Sequence, residues 1–152
     1  MEFTKKDLNK TLWVKPADMD NQRTWWKVDA SEKTLGRLAC DIAKKLLGKD
    51  KAYYCDFWDC GDFVIVENIQ NVKISGGKEL KKLYYSYSGY KGNLKTMTFA
   101  DVLKKNPERI LKEAVRGMLA KNKLRDKKMK RLKMVVGTTS QYDNFKPVNL
   151  YN

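Results

Sequence analysis

Three carboxylates, Asp56, Asp59 and Asp62, recur at every third position in a chain that contains no histidine. Clustered carboxylates can hold magnesium for phosphodiester cleavage, so a magnesium-dependent nuclease is one chemistry the residues offer. The structural alternative is preferred: Asp59 and Asp62 stand just before the apolar run Phe63-Val64-Ile65-Val66 and suit turn residues at the entry to a strand. The lack of histidine removes the commonest general base together with the commonest transition-metal ligand. Cys55 and Cys60 have no second pair elsewhere, which leaves a structural zinc site two ligands short. With Cys40 they make three cysteines, which cannot all pair internally; reduced thiols are expected, with Cys40 in the core. The string Ser75-Gly76-Gly77-Lys78 is no phosphate-binding loop, because Val72 stands where the first glycine is needed and Glu79 replaces the Ser or Thr. Neither a metal nor a cofactor is expected.

The strongest chemical signal is cationic. Residues 104–133 hold thirteen basic residues against three acidic ones, a net +10 of the chain's formal +14. Self-repulsion of this size calls for an anionic counterpart. Arg109, Arg116, Lys121, Lys123, Arg125, Lys127, Lys128, Lys130 and Arg131 are therefore candidate phosphate contacts. Each phosphate neutralised releases counterions, so affinity should fall with salt by roughly 0.7 to 0.9 log units per decade and contact. A second stretch interleaves cations with rings: Lys78, Lys82, Tyr87, Ser88, Gly89, Tyr90, Lys91, Gly92 and Lys95. Such alternation suits stacking on unpaired bases, and the glycines allow close backbone approach. Tyr84 or Tyr85 is expected in the core.

Elements must position these groups. At 152 residues the chain fits about one domain. Its 42% hydrophobic and 11% aromatic content is too high for a disordered basic tail. No apolar run approaches the roughly 18 residues of a membrane span, and the first residues lack a secretory signal, so a cytoplasmic location is expected. Residues 1–24 read as an N-terminal arm, 25–137 as one α/β domain and 138–152 as an extended C-terminal tail. Trp25-Trp26-Lys27-Val28-Asp29 reads as a strand. Leu35, Leu38, Ala39, Ile42, Ala43, Leu46 and Leu47 form one apolar stripe over about four turns, ended by Gly48. Arg37, Lys44 and Lys45 lie on the other side of that helix, and Lys49 and Lys51 just past its end. Strands at 63–66, 72–74 and 132–136 follow, the first paired in parallel with the Trp25 strand through a right-handed crossover. Residues 84–90 suggest a projecting loop or ribbon. Thr98 caps a short helix, Asn106-Pro107 starts a longer one over 107–119, and 124–131 suits a short basic helix.

Taken in order, several strings resemble one family, the bacterial or organellar large-subunit ribosomal protein thirteen. They are Val28-Asp29-Ala30, Thr34-Leu35-Gly36-Arg37-Leu38-Ala39, Gly48-Lys49-Asp50-Lys51 and Asp59-Cys60-Gly61-Asp62. Tyr84-Tyr85, Ser88-Gly89-Tyr90, Pro107-Glu108-Arg109, Ala114-Val115-Arg116-Gly117-Met118-Leu119 and Arg131-Leu132-Lys133 complete the series. The chain departs from the family pattern at Ser86, Tyr87, Asn93 and Ala120, and again at Ser140-Gln141-Tyr142 and Asn144-Phe145. The resemblance implies a three-layer α/β/α sandwich on a four-stranded parallel sheet, with a basic helical segment and extended arms. It implies a non-catalytic structural constituent of the large ribosomal subunit that binds its RNA, touches neighbouring ribosomal proteins and supports early assembly. A free RNA-binding regulator of translation is the alternative from another class, beside the nuclease that would use Asp56, Asp59 and Asp62.

Overall fold

A computed structural model describes residues 21–138 and 140–151. The expectations for residues 1–20 of the N-terminal arm lie outside the described residues. The strand β1 (Trp25–Asp29) and the helix α1 (Leu35–Leu47) fall where the periodicity places them. Leu35, Leu38, Ala39, Ile42, Ala43 and Leu46 are all buried, so the apolar stripe is the face α1 presents to the core. Gly48 ends the helix at φ 78°, its N–H donating to the carbonyls of Lys44 and Lys45. Cys40, expected in the core, is exposed; it follows Ala39 by one residue, a turn of about 100° that carries it off the stripe.

β2 (Phe63–Glu67) pairs in parallel with β1, Trp25 opposite Phe63 and Asp29 opposite Glu67. After a 3₁₀ turn at Ile69–Asn71 come the short helix α2 (Lys78–Lys81) and a hairpin of β3 (Leu83–Tyr87) and β4 (Leu94–Thr98). The helices α3 (Phe99–Lys105), α4 (Pro107–Met118) and α5 (Leu124–Lys130) precede β5 (Leu132–Met134), which pairs in parallel with β2. Thr98 caps α3 through a capping box with Asp101, and Asn106 caps α4 with Pro107 in its first turn.

The sheet order is β5-β2-β1-β6, with the fourth strand, β6 (Val148–Asn149), supplied by the C-terminal segment. The run at 72–74 is therefore not a strand of the sheet: Lys73 makes a single bridge with Thr34, and its carbonyl accepts the Leu35 N–H at 2.8 Å, at the start of α1. A boundary at 137 would cut the sheet, since the segment beyond it also lays Phe145 on Trp25, centroids 4.2 Å apart, with Trp25 in turn stacked on Phe63 at 4.2 Å. That aromatic layer lies on one face. Side chains alternate along a strand, so Trp26, Val28, Val64 and Val66 point the other way, into the core shared with α1, α3 and α4. The α/β class with a four-stranded parallel sheet is what the structure shows.

Candidate nucleic-acid interface

Two of the three aspartates, Asp59 and Asp62, are consumed inside the protein, while Asp56 stays at the surface. Arg131, following α5, grips the Asp59 carboxylate with both terminal nitrogens, the Nη2–Oδ1 contact being 2.6 Å. Its Nε donates to the Asp62 carbonyl at 3.3 Å and its Nη2 to the Leu46 carbonyl at 3.2 Å. The Asp62 carboxylate accepts the Thr24 N–H and the Trp26 indole N–H, each at 3.0 Å, and the Lys51 ammonium. Arg23 donates to the carbonyls of Asp59 and Gly61, both at 3.2 Å. Asp56 accepts the Tyr54 hydroxyl, a bond that, with burial, pushes the phenol up to about 12. Among the described residues no group of three His, Cys, Asp or Glu side chains could hold a metal ion.

This network corrects part of the cation assignment. Arg131 is 6% exposed and held by Asp59, and the Lys51 ammonium is occupied by Asp62, so these two do not present charge on the outer surface. Lys45 stands 3.8 Å over the Trp26 ring and pairs with Asp50 at 2.8 Å. Arg109 pairs with Glu113 at 2.6 Å and donates to the Tyr85 carbonyl at 3.2 Å, tying α4 to the hairpin. Among the described residues the half-buried Arg125 Nε has no hydrogen-bond partner. Charge alone does not separate these from surface cations; a buried aspartate competes for them at closer range and lower dielectric than RNA can.

Several of the remaining cations line grooves along α4. Lys112 and Arg116 lie one turn apart on its exposed side and line a groove of about 340 Å³ with Asp126, Met129 and Lys130 of α5. On the other flank Arg37 of α1 joins Lys78 and Lys82 around a groove of about 400 Å³ bounded by Ala114 and Met118. Lys44, Lys49, Lys121, Lys123 and Lys127 are exposed as well. Cations of α1, α2, α4 and α5, together with Lys82, thus line grooves on either side of one helix. Lys112 is missing from the candidates drawn from the sequence, although its spacing of four from Arg116 marks it as a neighbour on a helical face.

In the hairpin, alternation decides which rings face out. Tyr84 is 4% exposed and tilts against Phe99, whereas Tyr85, Tyr87 and Tyr90 are 58%, 61% and 77% exposed. Tyr85 and Tyr87 share a face with Leu83, Leu94 and Thr96. Lys82 and Arg109 stand 5.0 and 5.9 Å from the Tyr84 ring, so both help seat that ring. Residues 88–93 form the tip, closed by Asn93 Nδ2 donating to Ser88 Oγ at 2.6 Å, with Gly89 and Gly92 at φ 93° and 74°. Lys91 and Lys95 are exposed beside it.

A family model described as Ribosomal protein L13 matches residues 23–141. The chain belongs to the ribosomal protein L13 family. It is 45% identical over 132 residues to the large ribosomal subunit protein uL13 of Beutenbergia cavernae, covering 87% of this chain and 90% of that relative. The uL13 of Trichormus variabilis is 46% identical over 135 residues, 89% of each chain, and that of Aquifex aeolicus 45% over 138, 91% and 94%. The segment matched by the L13 model takes in Arg23, Asp59, Asp62 and Arg131, the residues of the buried network.

Proposed function

We propose that this L13-family chain is a structural constituent of the large ribosomal subunit, bound to its RNA and serving early subunit assembly in the cytoplasm, or in an organelle. The observation that carries the reading is the coincidence of a family match over residues 23–141 with exposed cations gathered on both flanks of α4. Phosphate contacts from Arg37, Lys78, Lys112, Arg116, Lys121, Lys123, Lys127 and Lys130 would position the protein on RNA through shape and backbone geometry. Tyr85, Tyr87 and Tyr90 would meet unpaired bases at the hairpin. Because the cations stand on packed helices, they hold separate RNA segments in one relative orientation. Neighbouring ribosomal proteins complete the surroundings. No catalytic step belongs to this reading, since Asp59 and Asp62 are already neutralised by Arg131, Arg23 and Lys51. No helix among the described residues is long and apolar enough to cross a membrane.

Fractionating a cell lysate on a high-salt sucrose gradient, with this chain followed by mass spectrometry, tests the assignment. It should co-sediment with large subunits. Recovery only in the slow fractions would favour a free regulator and overturn the reading.

A further inference from the structure

Lys128 has no place in the buried network that surrounds it. The residue is 4% exposed, yet among the described residues Asp59 and Asp56 act on it only through space, Asp59 being bound to Arg131 and Asp56 to Tyr54. Burial therefore pulls its ammonium pKa below the ordinary 10.5. The residue lines a cleft of about 600 Å³ at the C-terminal ends of α1 and α4, shared with Lys49, Lys121, Tyr54, Asp56 and Gly117. Gly117 is the second anomaly. It sits in the last turns of α4, where glycine weakens a helix, but a Cβ there would meet nothing within 4 Å and its φ is not positive. Neither packing nor backbone conformation demands glycine; an approaching ligand would.

We propose that this cleft seats one unstacked nucleotide of the bound RNA, with Lys128, Lys49 and Lys121 on its phosphate and its base in the space left open by Gly117. A nucleotide fits better than a bare anion. The cleft combines three cations with the Asp56 carboxylate, whose oxygens accept, so it offers acceptors as well as donors. Those acceptors repel a phosphate standing alone, but they match the N–H groups on a base edge. A phosphate supplies the counter-charge that Lys128 lacks. The volume lies within the range of small-ligand pockets, far above that of a single ion.

The inference rests on the RNA-binding reading, and two variants keep the tests separate. Lys128→Met removes a desolvated charge, so the free full-length chain should melt at an equal or higher temperature. Its affinity for transcribed large-subunit ribosomal RNA should nonetheless fall about tenfold, with the log-log salt slope reduced by about 1. Gly117→Leu fills the cleft and leaves every cation in place: the chain should remain folded and lose affinity to a similar degree, with the slope unchanged. If Lys128→Met retains both wild-type affinity and slope, or Gly117→Leu binds as wild type, the nucleotide seat is wrong while the RNA reading survives. If the wild-type chain shows no salt-sensitive affinity, it is the RNA reading that fails.

Discussion

A methyl group on Gly61 would stand 1.8 Å from the Leu46 carbonyl oxygen and 2.8 Å from Arg131 Nη2. The loop between α1 and β2 is therefore pressed against the end of α1, and Arg131 fills the space between them. Its guanidinium satisfies one carboxylate and two carbonyls that burial has stripped of water. Removing one partner of such a pair leaves the other charged and poorly hydrated. Arg131→Met should cost about 3 kcal/mol or more in urea unfolding, and adding Asp59→Asn should restore much of it, because the pair and not the positive charge is what the fold requires. The double variant should also keep the wild-type salt slope for RNA, which separates Arg131 from the surface cations. Asp59 and Asp62 before the strand were legible in the sequence as structural carboxylates, but their partners come from residues as far away as Arg23 and Arg131, which spacing cannot connect.

At the scale of elements, the C-terminal segment carries more than its composition suggests. Tyr151 donates to Asp41 of α1 at 2.9 Å, Lys33 pairs with the same carboxylate at 2.9 Å, and the Lys33 ammonium lies 3.6 Å over the Tyr151 ring. Burial alone would raise the Asp41 pKa, but these hydrogen bonds and the charges of Lys33 and Lys44 outweigh it and hold it below the ordinary 3.8. A carboxylate depressed by folding contributes stability that is present above its unfolded pKa and lost as pH falls through the folded one. The attachment of β6 should therefore loosen below about pH 4, seen as faster amide exchange at Leu150, whose N–H donates to the Lys27 carbonyl at 2.9 Å. Asp41→Asn should show the looser exchange already at neutral pH, a difference of about 1 kcal/mol. α1, α4 and the strands β1 and β2 are legible because each carries its own period or capping signal. β6 is two residues long, exposed, and exists because β1 offers an edge to it.

For the whole molecule, the formal +14 is distributed by depth. Among the described residues, part of the positive charge neutralises internal aspartates, and much of the rest is exposed on α1, α2, α4, α5, the hairpin and the turns after α1 and α4. Neutralising the groove cations together, as Lys112→Gln, Arg116→Gln and Lys130→Gln, should lower the salt slope of binding to ribosomal RNA by roughly 2 to 3, near 0.7 to 0.9 for each phosphate lost. The melting temperature should change little, since Lys112, Arg116 and Lys130 are exposed and form no ion pair in the described structure. A full loss of slope from these three alone would mean that the hairpin and the lysines after α1 make no phosphate contacts.

The sequence by itself determined that this is an α/β body with an anionic partner, because hydrophobic period, capping residues and net charge are local or additive properties read along one chain. The order of residues also carried the family resemblance. What only the tertiary structure decided is which cations face solvent, which tyrosines of the hairpin point outward, and where the fourth strand comes from. Those outcomes depend on distances between residues remote in the chain: a lysine or arginine a few ångströms from a buried carboxylate is spent inside the fold, and the same residue without such a neighbour remains available to RNA.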